Sequence, residues 1–205
     1  MRLNISNNQI SEKHIMKENP MSIRSKDSIE EALLSLMLEQ PYKNITIRSL
    51  TERAGLSRQT FYLNFEDKEA ILTRHLSRML DEIMLRVQVE HVDTIQKLTD
   101  VYTTVVEENA SFFRLLVENG LTDLAKGVFR EKLGHLPPVL ACQRENRTDT
   151  ERRYFNAFWV AAFIEVYSTW LLEDRATDRD EIVSILSDIM RGDYFFAPDD
   201  KNIGG

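Results

Sequence analysis

The 205 residues suffice for one or two compact domains with a real core, and 42% hydrophobic side chains with only 7 Gly and 5 Pro suit an all-α fold. Cys142 is the single cysteine, which excludes an intrachain disulfide and fits a reducing cytosol. Neither a run of about 18 apolar residues nor a signal-peptide core is visible, so a soluble, unexported, cytoplasmic protein is expected. The net charge of −7 argues against a nucleic-acid partner until it is resolved along the chain. Residues 81–205 hold 14 Lys and Arg against 23 Asp and Glu, a net of −9, whereas residues 41–65 hold Lys43, Arg48, Arg53 and Arg58 against Glu52 alone, a net of +3.

Residues 1–21 are polar, lack periodicity and read as a flexible N-terminal arm; Lys13, His14 and Lys17 offer a minor groove some charge, although a plain tail accounts for them as well. A first helix is expected from near Arg24 to Glu39, with Ile29, Leu33, Leu36 and Met37 on one stripe and Pro41 past its end. Thr46 can cap a second helix of about two turns in which Ile47, Leu50 and Ala54 face one way. Gly55 stops it, because glycine takes positive φ without a Cβ penalty. Ser57 caps a third short helix, in which Phe61 and Phe65, four residues apart, point inward together.

Two short helices around a glycine turn are the geometry of a helix-turn-helix reader of DNA, and the outward face of the second is chemically suited to a duplex. Arg58 can fork onto guanine O6 and N7, Gln59 onto adenine N6 and N7, and the Thr60 methyl can meet a thymine methyl; Arg48 is a further candidate for base contact. Phosphate contacts are expected from Thr46, Ser57, Tyr62, Asn64 and Lys68, the last beside Asp67, which can cap the next helix. The stretch resembles the DNA-binding domain of the TetR/AcrR family of transcriptional regulators. The resemblance rests on Ile45-Thr46, Ala54-Gly55-Leu56-Ser57, Thr60-Phe61-Tyr62-Leu63-Asn64-Phe65 and Lys68-Glu69-Ala70-Ile71-Leu72. It covers residues 24–72 strongly and the rest by architecture only. Asn64 stands where the family commonly has histidine, and Thr51 where a small alanine is usual.

From Asp67 a long helix is expected, with Ile71, Leu72, Leu76, Met79, Leu80, Ile83 and Val87 in the three-and-four spacing of a buried face. Helices follow over Ile95–Glu108, Phe112–Val117 and Leu121–Leu133; Pro137-Pro138 breaks the pattern and Gln143–Asp149 reads as a loop. Thr150 opens a helix to about Leu172, and Thr177 with Asp180 forms a capping-box pattern before a last helix. The domain reading is an arm (1–21), a helix-turn-helix domain (22–72), a helical regulatory and dimerisation domain (73–197) and a tail (198–205).

The helix over 154–172 is too apolar for the surface of a small monomer. Ala157, Ala161, Ile164 and Ser168 form a mostly small strip that lets another helix approach, and a two-fold partner is its expected occupant, with Ile182, Ile185, Leu186 and Ile189 beside it. The resemblance implies the same, since the last two helices of the family build a four-helix dimer interface. It also implies a small-molecule pocket in the body, for which Tyr102, Phe112, Phe113, Phe129, Phe158, Trp159, Phe163, Tyr167 and Trp170 are candidate lining, although aromatics at helical spacing are more often ordinary core. Glu165, ionisable within an apolar helix, is a further pocket candidate if it is buried.

No Walker, Rossmann, zinc or Gly-x-Ser-x-Gly pattern is present and the four histidines are scattered, so neither catalysis, a cofactor nor a metal is expected. The expectation is a homodimeric, sequence-specific DNA-binding regulator, a repressor released by a small-molecule effector. The alternative is a DNA-binding activator or regulator whose C-terminal domain binds a co-regulator protein instead.

Overall fold

The computed structural model describes residues 19–133, 148–173 and 176–194, and no strand occurs among them. Most of the N-terminal arm, Pro137-Pro138, Cys142, most of the Gln143–Asp149 loop and the tail lie outside the described residues. The described helices are α1 (Pro20–Glu39), α2 (Ile47–Ala54), α3 (Arg58–Asn64), α4 (Lys68–Val89), α5 (Ile95–Glu108), α6 (Ala110–Glu118), α7 (Thr122–Leu133), α8 (Asp149–Leu172) and α9 (Arg179–Arg191), with a 3₁₀ turn at Tyr42–Asn44.

Helix starts moved where a cap lay earlier than the apolar pattern. α1 begins at Pro20 and not near Arg24, because Asn19 accepts from the Met21 N–H at 3.0 Å and proline fits the first helical position. α8 begins at Asp149, because Thr148 caps Glu151 and the Glu151 carboxylate accepts from the Thr148 N–H at 2.7 Å. For α9 the cap is Asp178, bonded to the Asp180 N–H at 2.9 Å, and not Thr177. The Thr177 carbonyl instead accepts the Trp170 indole N–H at 2.8 Å, tying the end of α8 to the start of α9.

The head is α1 to α3. Phe61, fully buried, sits among Ile29, Leu33 and Leu50, with Phe65 6.1 Å away ring to ring. Each such side chain contributes about 1.5 to 3 kcal/mol by leaving water. Thr51 is buried yet costs little, because its hydroxyl donates to the Ile47 carbonyl at 2.9 Å. Gly55 has φ +67°, which lets the Leu56 N–H turn back to the Thr51 carbonyl at 2.9 Å. No atom lies within 4 Å of a β-carbon built there, so Gly55→Ala is expected to cost about 1 to 2 kcal/mol through backbone strain alone, read as a lower urea midpoint with unchanged slope.

α4 carries the head into the body, and two polar joints fix the angle between them. In the first, the buried Glu30 of α1 accepts from Arg74 and pairs with His75 Nδ1 at 2.8 Å, while Asp27 takes Arg74 at 2.8 Å. The His75 ring rests 4.1 Å from that of Phe112 on α6, and its Nε2 is buried without a partner. Burial alone would raise the Glu30 carboxyl; the His75 and Arg74 hydrogen bonds and charges outweigh it and hold the group below its ordinary range. In the second joint, the Tyr42 N–H of the head donates to Asn119 Oδ1 at the end of α6, at 2.8 Å.

In the body, α5 packs on α9 through buried hydroxyls that satisfy one another, Thr99 to Ser187 at 2.7 Å, and on α8 through Thr103 to Tyr167 at 2.9 Å. Arg179 closes that end on Asp100 at 2.9 Å. α8 is long and apolar enough by length and composition alone to cross a bilayer, although Asn156, Glu165, Ser168 and Thr169 interrupt it, and 28% of its most apolar stretch is buried within the chain.

Candidate nucleic-acid interface

α3 divides as its spacing predicts. Phe61 and Phe65 anchor it in the head core, which leaves Arg58, Gln59 and Tyr62 exposed on the opposite side. Arg58 has no hydrogen bond or ion pair with any described residue, so its five donors are available. Tyr62 is 62% exposed, and beside it Leu63 is 78% exposed, an apolar side chain on a polar face that periodicity did not single out. A leucine there suits a thymine methyl, and its signal was its place two residues from each inward phenylalanine.

Other candidates are already engaged. The Ser57 hydroxyl accepts from the Thr60 N–H at 3.0 Å and shares a bond with the Thr60 hydroxyl at 2.9 Å, so both set the start of α3. Thr46 and Ser49 form a reciprocal capping box at the start of α2. Arg48 pairs with Glu52 at 2.8 Å on an open surface, a contact weak enough to exchange for DNA. Arg53, counted with the basic head, instead forks onto Glu39 of α1 at 2.7 and 2.8 Å, which lowers the cationic surplus of the reading face.

Asn64 and Lys68 act within the head. The Asn64 amide donates to the Thr60 carbonyl at 2.7 Å and its oxygen accepts from the Ser22 hydroxyl at 2.7 Å, locking α3 to α1. The Lys68 ammonium donates to the Ile45 carbonyl at 2.5 Å and the Tyr42 carbonyl at 2.9 Å, 4.3 Å above the Tyr42 ring centre. One of its three donors remains for a phosphate. Desolvation lowers its pKa, and burial pushes the Tyr42 phenol up to about 12.

Among the described residues of the body, two hollows bear on the expected pocket. Between α5, α6, α7 and α8 lies an apolar slot of only about 30 Å³, walled by Tyr102, Phe113, Phe129, Phe163 and Tyr167, five of the expected pocket residues. Five others are placed elsewhere. Phe112 packs on His75, Trp170 bonds the α8–α9 link, Phe158 is 56% exposed, and Glu165 is exposed. Trp159 sits among the rings of Phe155, Phe158 and Phe163 with its indole N–H buried and unpartnered. Aromatic spacing on α8 runs around the whole helix, so it cannot say which rings face the slot. A second hollow of about 520 Å³ opens between α4 and α7, with Ser77, Leu80 and Met84 on one side and Val128 and Glu131 on the other; Tyr102 and Ile83 border both.

The expected interface residues also divide. Ile164 and Ser168 line the slot, and Ile182 and Leu186 are buried against the chain's own core, so these four make intrachain contacts. α9 has to cover α5 before it can cover anything else. Ala157, Ala161, Ile185 and Ile189 keep access to solvent, and the open face of α8 adds Tyr154, Phe158 and Leu172 at 67%, 56% and 51% exposure.

Residues 29–74, which span α1 to the start of α4, match the family model of bacterial regulatory proteins of the tetR family. The chain is 28% identical over 162 residues to the uncharacterized HTH-type transcriptional regulator YxbF of Bacillus subtilis, a match that covers 75% of this chain but only 41% of that protein's length. Among solved structures, a TetR transcriptional regulator of Streptococcus agalactiae superposes with a TM-score of 0.62 at 21% identity, covering 82% of this chain and 94% of that one. Lin0861 of Listeria innocua superposes with a TM-score of 0.71 at 11% identity, covering 93% and 95%.

Proposed function

We propose that the chain is a DNA-binding transcriptional regulator of the TetR family, and that it works in the cytoplasm as a homodimeric, sequence-specific repressor released by a small molecule bound in its helical body; the family match over residues 29–74 and the similarity to an HTH-type regulator support the reading. The observation that carries the specificity reading is α3 itself. It presents Arg58, Gln59 and Tyr62 outward while Phe61 and Phe65 hold the helix to the core. Arg58 and Gln59 take base edges; Tyr62 and the remaining donor of Lys68 take phosphates, which position the head without reading sequence. Thr46, Ser57, Thr60 and Asn64 contribute by fixing the helices that carry those groups.

Two heads on a two-fold dimer meet half-sites about 34 Å apart, so an effector need only favour another separation. About 1.4 kcal/mol of preference for that state weakens operator binding tenfold. Support for an effector comes from the hollow between α4 and α7, since α4 is the helix that carries the head, and Asn119, just before α7, holds the Tyr42 backbone. A hollow of about 520 Å³ favours a small molecule over a co-regulator protein as the occupant of the body.

Arg58→Ala is expected to cost about 1 to 3 kcal/mol of operator affinity and to relax preference at one base pair. Genomic fragments selected by the wild-type chain supply the operator, and fluorescence anisotropy against single-base variants supplies the profile. An unchanged profile in Arg58→Ala would remove α3 as the reading helix.

A further inference from the structure

We propose that the hollow between α4 and α7 is a site for cationic amphiphiles, molecules with an apolar body and an ammonium end. This rests on the reading of the body as effector-binding and adds the chemistry of the effector. At about 520 Å³ the hollow falls within the range of small-molecule sites. Its walls are chemically divided. Met84 and Val128 offer apolar surface, and methionine adapts to ligand shape. Tyr102, only 9% exposed, closes it from α5, and its hydroxyl has no hydrogen-bond partner among the described residues. That hydroxyl is therefore available to donate to or accept from a ligand atom or water in the hollow.

The charge at the rim decides the sign. Lys132 is already committed, donating to Asp81 and to the Ser77 carbonyl, the latter at 3.1 Å. Glu131 borders the same hollow and has no ion pair with any described residue. Among the described residues, two carboxylates face one ammonium, a net of −1. An anionic ligand must draw Lys132 off Asp81 and then lie beside Glu131, whereas a cation finds Glu131 open. An occupant wedged between α4 and α7 presses on the helix that bears Arg74 and His75, the partners of Glu30 in the head.

The test uses the full chain and three probes of equal length below their micellar concentrations: decyltrimethylammonium, decanoate and decanol, each titrated calorimetrically. Decyltrimethylammonium is expected to bind saturably, one per chain, at least about tenfold tighter than the other two. Glu131 is exposed, so E131Q and E131K fold as the wild type does. E131Q is expected to weaken the cation about tenfold, and E131K to shift preference toward decanoate. Decanoate binding as tightly as the cation, an E131Q variant that binds it unchanged, or no saturable binding by any probe would each overturn the proposal. Operator binding measured on the same preparations separates the two readings. A chain that holds its operator but ignores the cation keeps its regulatory function and loses this site; one that binds the cation with operator affinity unchanged keeps the site and loses effector release.

Discussion

Ala161→Glu is expected to convert a dimer into a monomer and to weaken operator binding by about a hundredfold or more, because linking two heads multiplies affinity by about 10² to 10⁴ without any new contact. Ala161 lies on the open face of α8, between Phe158 and Glu165. The substituted carboxylate meets the partner's copy across a two-fold axis and stands one turn from the chain's own Glu165. Since Ala161 is exposed in the single chain, its fold is left intact, and the thermal midpoint of the monomeric variant reports that directly. Sedimentation at micromolar concentration checks the assembly. A wild-type chain that sediments as a monomer would remove the dimer reading, and a dimeric variant would move the interface off α8. The physical demand behind the prediction is that 28% figure: a helix apolar enough for a bilayer has little of its most apolar stretch fully buried within the chain, and in the proposed dimer a second copy covers it and doubles the heads.

Glu30→Gln is expected to lower stability by about 3 kcal/mol, the low end for breaking a buried pair, since Arg74 keeps some access to solvent. The amide cannot balance Arg74 and His75, which the wild-type carboxylate holds against α1. The pH dependence has a definite sign. The folded-state pKa of Glu30 lies below its ordinary 4.5, so its contribution is complete above that value and is lost as pH falls through the lower folded value. Urea unfolding followed from neutral pH into acid is expected to show this loss in the wild type and a smaller one in Glu30→Gln. Equal acid sensitivity in the two would place the titrating group elsewhere. Because the joint fixes the head on α4, the variant is also expected to bind operator more weakly at neutral pH.

The readable parts of this chain are those governed by local rules. Thr46, Gly55 and Ser57 mark helix ends through hydrogen bonds and φ preferences that act within four residues, and the structure uses all three. Phe61 and Phe65 lie on one side of a seven-residue helix, so their burial also fixes the exposure of Arg58, Gln59 and Tyr62. Asn19 follows the same rules: its cap, and not the apolar stripe, sets the start of α1, whereas at α9 Asp178 caps in place of the neighbouring Thr177 because two adjacent residues both have the chemistry of a cap.

What the sequence determined by itself is the helical order, the turn and the exposed face of α3, since these follow from contacts between near neighbours in the chain. The tertiary structure decided which cations are free. Arg53 and Lys68 look like Arg58 in sequence, but Glu39 lies 14 positions before Arg53 and the Tyr42 carbonyl lies 26 before Lys68. It also decided which faces of α8 and α9 turn inward, because both helices are apolar on several sides and only the position of α5 and α7 settles the choice. Burial of a side chain depends on what arrives from elsewhere in the chain, and periodicity within one helix carries no record of that.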